Sequence, residues 1–158
     1  MENKVINIMF CGTGGQGVLK AAEVCGQAAM IDGYHAKKSE VHGMAQRGGS
    51  VESHLRFGAE VFSPLIPRGA ADILVSFHQG EHDRMLPFLK SNGIDLIDSL
   101  RQAETTLKDK RFLNTYLLGV LSKHLPLKEE SWISAFEKVF AAKYFDANKE
   151  VFLQARNS

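Results

Sequence analysis

The sequence predicts an α/β domain of three layers, with helices on both faces of a mainly parallel sheet that includes one antiparallel hairpin. Three observations predict it. Short apolar runs alternate with helical patterns in the first half of the chain. A glycine-rich loop joins the first such run to the first helical pattern, and the final third reads as successive amphipathic helices. The 158 residues fit one domain covering 1–158, with no repeat, linker or low-complexity segment.

Residues 5–11 form an apolar run that stops at Gly12, as a buried parallel strand does. From 18 to 31, Val18, Ala21, Ala22, Cys25, Ala28 and Ala29 recur at helical spacing, and Gly33 ends the pattern. Residues 34–39 read as a second strand, whereas 39–49 hold too many glycines and polar residues for a regular element. Residues 50–57 and 60–62 flank Gly58-Ala59, which predicts an antiparallel hairpin between them. Pro64 and Pro67 make 63–67 an irregular connection. Asp72 to Phe77 is a strongly apolar strand, 81–89 a helix ended or kinked at Pro87, and 94–97 another short strand. Tyr116, Leu117, Val120 and Leu121 mark a helix over 114–124. Trp132, Phe136, Val139 and Phe140 mark a second after Lys128, and 143–156 forms the last.

Composition narrows the function classes. With 44% hydrophobic and 23% charged residues the chain is a folding sequence. Nineteen basic against eighteen acidic residues leave a formal charge of +1, without the basic stripe of a nucleic-acid binder. No run approaches the ~20 apolar residues of a membrane span. The start, Met1-Glu2-Asn3-Lys4, lacks the pattern of a secretory leader, so a cytoplasmic location is expected. Two cysteines, Cys11 and Cys25, are too few for a four-cysteine iron–sulfur or zinc site, and no redox centre or metal is expected on this chain alone.

Gly12-Thr13-Gly14-Gly15-Gln16-Gly17 matches G-x-G-x-x-G between a strand and a helix. Glycine permits the tight turn and the close approach of an anion, and the following helix start presents free N–H groups. The rival reading is a packing turn. A dinucleotide site needs an acid near the end of the second strand; Asp32 and Glu40 are the candidates, and neither spacing fits cleanly. The second glycine cluster, Ser39-Glu40-Val41-His42-Gly43-Met44-Ala45-Gln46-Arg47-Gly48-Gly49-Ser50, gathers an acid, an imidazole, an amide, a guanidinium and a hydroxyl. Arg47 beside Gly48, Gly49 and Ser50 suits a phosphate or carboxylate, and both loops are expected in one crevice at the sheet's carboxyl edge. The bland alternative is a solvated loop with Arg47 paired to Glu40 or Glu52. His78-Gln79-Gly80-Glu81-His82 spells H-x-x-E-H, but Gly80 sits at its centre and a strand precedes it, so a helix cap is expected there instead of zinc. Ser50, His54 and Asp72 supply the residue types of a triad without a nucleophile elbow.

The two glycine loops together resemble the gamma-type subunits of the 2-oxoacid:ferredoxin oxidoreductases, and within them the branch acting on indolepyruvate. Ser63-Pro64-Leu65-Ile66-Pro67, Gly69-x-Ala71-Asp72, Asn114-x-x-Leu117-Leu118-Gly119, Leu125-Pro126-Leu127 and residues 143–148 extend the likeness almost to the end of the chain. The resemblance implies a Rossmann-like fold and membership of a complex that oxidatively decarboxylates a 2-oxoacid such as indolepyruvate or pyruvate to an acyl-coenzyme A. It further implies that thiamine diphosphate and iron–sulfur clusters lie on a larger partner chain, which passes electrons to ferredoxin. Coenzyme A is the co-substrate that the resemblance implies. On this reading Gly12, Thr13, Gly14, Gly15, Gln16, Gly17, Arg47, Gly48, Gly49 and Ser50 form an anion pocket. Ser39, Glu40, His42, Gly43, Met44 and Gln46 line it or the subunit interface, and no residue here is catalytic. The alternatives are a free-standing NAD- or FAD-binding domain and a ligand-free assembly subunit. His78-Gln79 departs from the acidic residues of the family, and the end of the chain at Ser158 without a further module suggests a separate small subunit.

Overall fold

A computed structural model describes residues 4–42 and 49–158. Five strands form one mixed sheet: β1 (Ile6–Thr13), β2 (His35–His42), β3 (Ser50–Gly58), β4 (Ala71–Ser76) and β5 (Leu89–Asp95), in the spatial order β2-β3-β1-β4-β5. β1 pairs in parallel with β4, and β4 with β5, while β3 runs antiparallel to both β1 and β2. Four strands therefore point one way and β3 alone is reversed. Among the described residues six helices accompany them: α1 (Val18–Ile31), α2 (Gln79–Met85), α3 (Ile97–Thr106), α4 (Leu113–Ser122), α5 (Glu129–Val139) and α6 (Ala142–Arg156).

Strand alternation divides the core into two layers. Ile8 and Phe10 of β1, with Ile73 and Val75 of β4, face a large cluster formed with α1, α4, α5 and α6. Met9, Cys11 and Leu74 face the other side, where α2 and the extended segment around Ile66 give a much thinner cover. The layers are thus α/β/α, but lopsided. Close helix contact is made possible at Gly119 of α4, where a Cβ would stand 2.6 Å from both the Ala155 Cβ and the Phe152 carbonyl of α6.

Several expectations are corrected by pairing that is remote in sequence. The hairpin joins β3 to β2 and not to 60–62. Both edges of β3 are already taken by β2 and β1, so 60–62 has no backbone partner there. Val61 is buried, with its N–H donating to His35 Nδ1 at 3.1 Å, and Phe62 is exposed. Residues 39–42 are regular strand, because β3 places a partner opposite each of them, from His54 opposite Ser39 to Val51 opposite His42. β5 begins at Leu89 instead of 94; a register shift in its pairing with β4 absorbs the polar residues 90–93. Ile97 opens α3, a helix the sequence pattern missed, since it buries just Ile97, Leu100 and Ala103. The helix expected over 81–89 ends at Met85 and gives way to a 3₁₀ turn, Leu86–Phe88, around Pro87.

Candidate functional site

The carboxyl end of β1 carries the first glycine loop. Gly12 is buried, and a Cβ there would stand 2.7–2.8 Å from the Val18, Gln16 and Phe77 side chains. Gln16 braces the turn from inside: its Oε1 accepts from Thr13 N at 2.8 Å and its Nε2 donates to the Phe77 carbonyl at 2.8 Å. Gly14 N donates to the Gly49 carbonyl at 3.0 Å, so the ends of the two glycine clusters meet. Thr13 lies opposite Ser50 in the β1–β3 ladder. Gly15 and Gly17 adopt φ of 90° and 82°, values that favour glycine. Gly17 is the N-cap of α1, and neither a capping side chain nor an acid in the first turn occupies that helix start. The N–H groups of Thr13, Gly14 and Gln16 are therefore engaged within the fold, while those of Gly15 and the first turn of α1 have no acceptor beyond the helix among the described residues.

Two clefts flank this loop. The hairpin-side cleft, about 490 Å³, lies between Gly14, Gly15 and Gly17 and the opposing His42 and Val51. The second, about 390 Å³, lies between the loop and Lys110, Arg111 and Asn114. Sequence reasoning placed none of these last three in a site. Asn114 entered only as part of a motif, and Lys110 and Arg111 carry no signal in the residue pattern. Glu40 lies on β2, within 3.2 Å of Lys38 and 4.0 Å of His42. Ser39 lies opposite His54 further along that strand. Gly43, Met44, Gln46, Arg47 and Gly48 fall outside the described residues.

The dinucleotide arrangement does not form. Asp32 Oδ2 accepts from Lys128 N at 2.7 Å and its Oδ1 from Ser131 Oγ at 2.6 Å, so the carboxylate ties the end of α1 to the start of α5. Glu40 is displaced because β3 separates β2 from β1, putting two strand spacings, about 10 Å, between them. The triad types are also employed separately. Ser50 Oγ donates to Glu81 at 2.9 Å, and Asp72 accepts from Asn7 N and Lys90. His54 Nδ1 accepts from Ile66 N at 3.0 Å, which fixes the proton on Nε2, 2.9 Å from Glu52. His78 caps α2, its Nδ1 accepting from Gly80 N and Glu81 N, and buried His82 lies 2.7 Å from Asp95. Among the described residues no group of three His, Cys, Asp or Glu side chains could hold a metal ion.

Burial pushes the Cys11 thiol up to about 12, despite a hydrogen bond to Ser76, and raises Cys25 as well. The two thiols are held in different core clusters on opposite faces of the sheet. For Glu81, burial opposes ionisation, but hydrogen bonds from Arg84 and Ser50 and the charge of Arg84 outweigh it and hold the carboxyl below its ordinary 4.5. Because the folded value is the lower one, this ionised group stabilises the fold above about pH 4.5, and the contribution is lost as pH falls through the folded value. Arg84→Met should therefore destabilise the chain by about 1 kcal/mol at neutral pH, with the gap from wild type closing in acid. Urea titrations at pH 7 and pH 3 measure this, and an equal gap at both would contradict it.

The family model described as pyruvate ferredoxin/flavodoxin oxidoreductase matches residues 7–158. An indolepyruvate oxidoreductase subunit of Methanothermobacter thermautotrophicus is 48% identical, over 92% of this chain and 93% of the relative. The corresponding subunit of Thermococcus kodakarensis is 45% identical over 58% of this chain and spans just 45% of the relative's own length. The crystal structure of a keto/oxoacid ferredoxin oxidoreductase gamma subunit from Geobacter sulfurreducens shares the fold, with a TM-score of 0.78 at 22% identity over 96% of both chains. No helix among the described residues is long and apolar enough to cross a membrane.

Proposed function

The chain belongs to the pyruvate ferredoxin/flavodoxin oxidoreductase family, and on that premise we propose that it is the small, single-domain gamma-type subunit of a heteromeric 2-oxoacid:ferredoxin oxidoreductase acting on indolepyruvate or a similar aryl pyruvate. The observation that carries this reading is the near end-to-end similarity to the Methanothermobacter indolepyruvate oxidoreductase subunit. The residues of this chain do not fit the redox cofactors: Cys11 and Cys25 are buried on opposite faces of the sheet, unable to share a cluster. The iron–sulfur clusters are accordingly assigned to a larger partner chain, and on the family reading thiamine diphosphate goes with them, so that the partner supplies the decarboxylation and passes electrons to ferredoxin in the cytoplasm.

The part of this chain is to bind and orient. The hairpin-side cleft receives an anionic end, either phosphates of coenzyme A or the 2-oxoacid carboxylate, against the free amides at Gly15 and Gly17 and the positive start of α1. His42 forms the facing wall. Gly49 and Ser50 anchor the start of β3 there through Gly14 and Glu81. No general acid or base is assigned to this chain.

Co-expression with the larger subunit from the same source tests the reading. We expect co-elution with a chain containing thiamine diphosphate and iron, ferredoxin reduction by the pair with indolepyruvate and coenzyme A, and no turnover by this chain alone. Turnover by the isolated chain, or failure to associate, would overturn it.

A further inference from the structure

The sheet ends on one side at β2, and that edge is open. β2 is the terminal strand of the order β2-β3-β1-β4-β5, and among the described residues no backbone group of residues 36–42 has a hydrogen-bond partner on the side away from β3. The outward N–H and C=O groups of such a strand are a template for another strand. The opposite edge is blunted: β5 carries Lys90-Ser91-Asn92-Gly93, and its pairing with β4 shifts register there. β2 has no such interruption. It pairs with β3 residue for residue from His35 to His42, so its free edge is unbroken. Where β2 meets α1 lies a shallow hollow of about 90 Å³, lined by Ala22, Gly26, Met30, Ala36, Lys38 and Leu55. Met30 and Ile31, at the end of α1, are exposed apolar side chains.

The residues of β2 decide which strand fits that edge. Alternation puts Ala36, Lys38, Glu40 and His42 on the face shared with α1, where Lys38 lines the hollow and lies 3.2 Å from Glu40. Lys37, Ser39 and Val41 take the other face. Two copies joined edge to edge about a two-fold axis run antiparallel, with one residue at the axis facing its own copy. Centred on Lys38, the pairing opposes lysine to lysine, and centred on Glu40 it opposes glutamate to glutamate. Centred on Ser39, it sets Lys38 against Glu40 of the second copy on both sides of the axis. Lys37 then lies against Val41, which its apolar stem can cover. We infer that β2 is the contact by which two copies of this chain associate, extending the five-stranded sheet across the two-fold axis. The charges that discourage an unrelated strand become matched when the incoming strand is a second copy centred on Ser39. This pairing also seats Ala36 of the second copy beside His42, which walls the hairpin-side cleft, so each copy borders the other's cleft.

Sedimentation equilibrium of the full chain tests this, with a monomer–dimer equilibrium expected in the micromolar range. Lys38→Glu and Glu40→Lys each set like charges face to face on both sides of the axis and should weaken self-association about tenfold or more. Mixed together, these two single variants should associate as wild type does, because each supplies the charge opposite to the other's. The double variant Lys38→Glu/Glu40→Lys should recover self-association for the same reason. Ser39→Cys, at the axis, should form an intermolecular disulfide on mild oxidation, whereas the exposed Phe62→Cys should not. Cys11 and Cys25 are buried and give no background. Circular dichroism checks that each variant keeps its fold. A chain still monomeric at about 1 mM would overturn the inference. So would charge variants that dimerise as wild type does, or equal linkage through Phe62→Cys. Protection of the β2 amides from hydrogen exchange only when the larger chain is present would give the edge to that chain, and would overturn it too. None of these outcomes bears on co-elution with the larger chain, so the subunit assignment stands or falls separately.

Discussion

Trp132→Ala is expected to lower the stability of this chain by about 3–5 kcal/mol, a large part of the 5–15 kcal/mol available to an ordinary domain. Trp132 is fully buried in the first turns of α5. Its ring lies 5.5 Å from that of Phe152, which lies 5.0 Å from Phe136, so one side chain joins α5 to α6 beneath α1. Truncation leaves a cavity that three helices would have to close together, and the Asp32 bonds to Lys128 and Ser131 hold α5 at a fixed distance from α1. The indole Nε1 has no hydrogen-bond partner among the described residues. Trp132→Phe should therefore cost well under half as much, because it removes an unsatisfied donor while keeping most of the packing. Denaturant midpoints of the two variants measure this. A loss under 1 kcal/mol for the alanine variant would show that α5 is not part of the cooperative core.

Gly17→Val should remove anion binding at the hairpin-side cleft and destabilise the chain by about 2–4 kcal/mol. Two causes act at once. A φ of 82° is poorly tolerated by a β-branched side chain, and its Cβ would stand 2.6 Å from Asn114 Nδ2. Asn114 has little room to yield, since it is buried and bonded to Thr115, which is itself bonded to Asn148 of α6. Gly15 supplies the control. Its φ is 90°, but nothing lies within 4 Å of a Cβ there, so Gly15→Ala carries the backbone strain alone, about 1–2 kcal/mol. Melting curves and phosphate titrations of both variants separate strain from occlusion. If Gly15→Ala proves as damaging as Gly17→Val, the Asn114 contact is irrelevant to the site.

Local patterns in the sequence carried a good part of this structure. The apolar spacing from Val18 together with the stop at Gly33 predicted α1 with the bounds it has, and the spacing of Trp132 and Phe136 predicted α5, because a helix is decided by neighbours within four residues. The glycine loop was equally legible. Gly12 and Gly17 are positions where a Cβ would collide, and Gly15 and Gly17 have positive φ. Harder to read were elements stabilised mainly by distant partners. The polar residues 39–42 carry no strand pattern of their own and become strand because β3 supplies their hydrogen bonds, and α3 buries too few side chains to show a stripe.

What the sequence by itself determined is the α/β class, the glycine turn with a helix start behind it, and the impossibility of a four-cysteine cluster. Only the tertiary structure decided the insertion of β3 between β1 and β2, which removes Glu40 from dinucleotide distance, and the commitment of Asp32 to α5. It alone brought Asn114 over Gly17, across ninety-seven residues of chain. The physical reason is the range of the forces recorded in each. Turn and helix propensities act between near neighbours and leave a mark in the residue pattern. Strand order and the approach of α4 to the glycine loop follow from burying apolar faces across the whole domain, and that choice leaves no periodic trace at Asn114, Lys110 or Arg111.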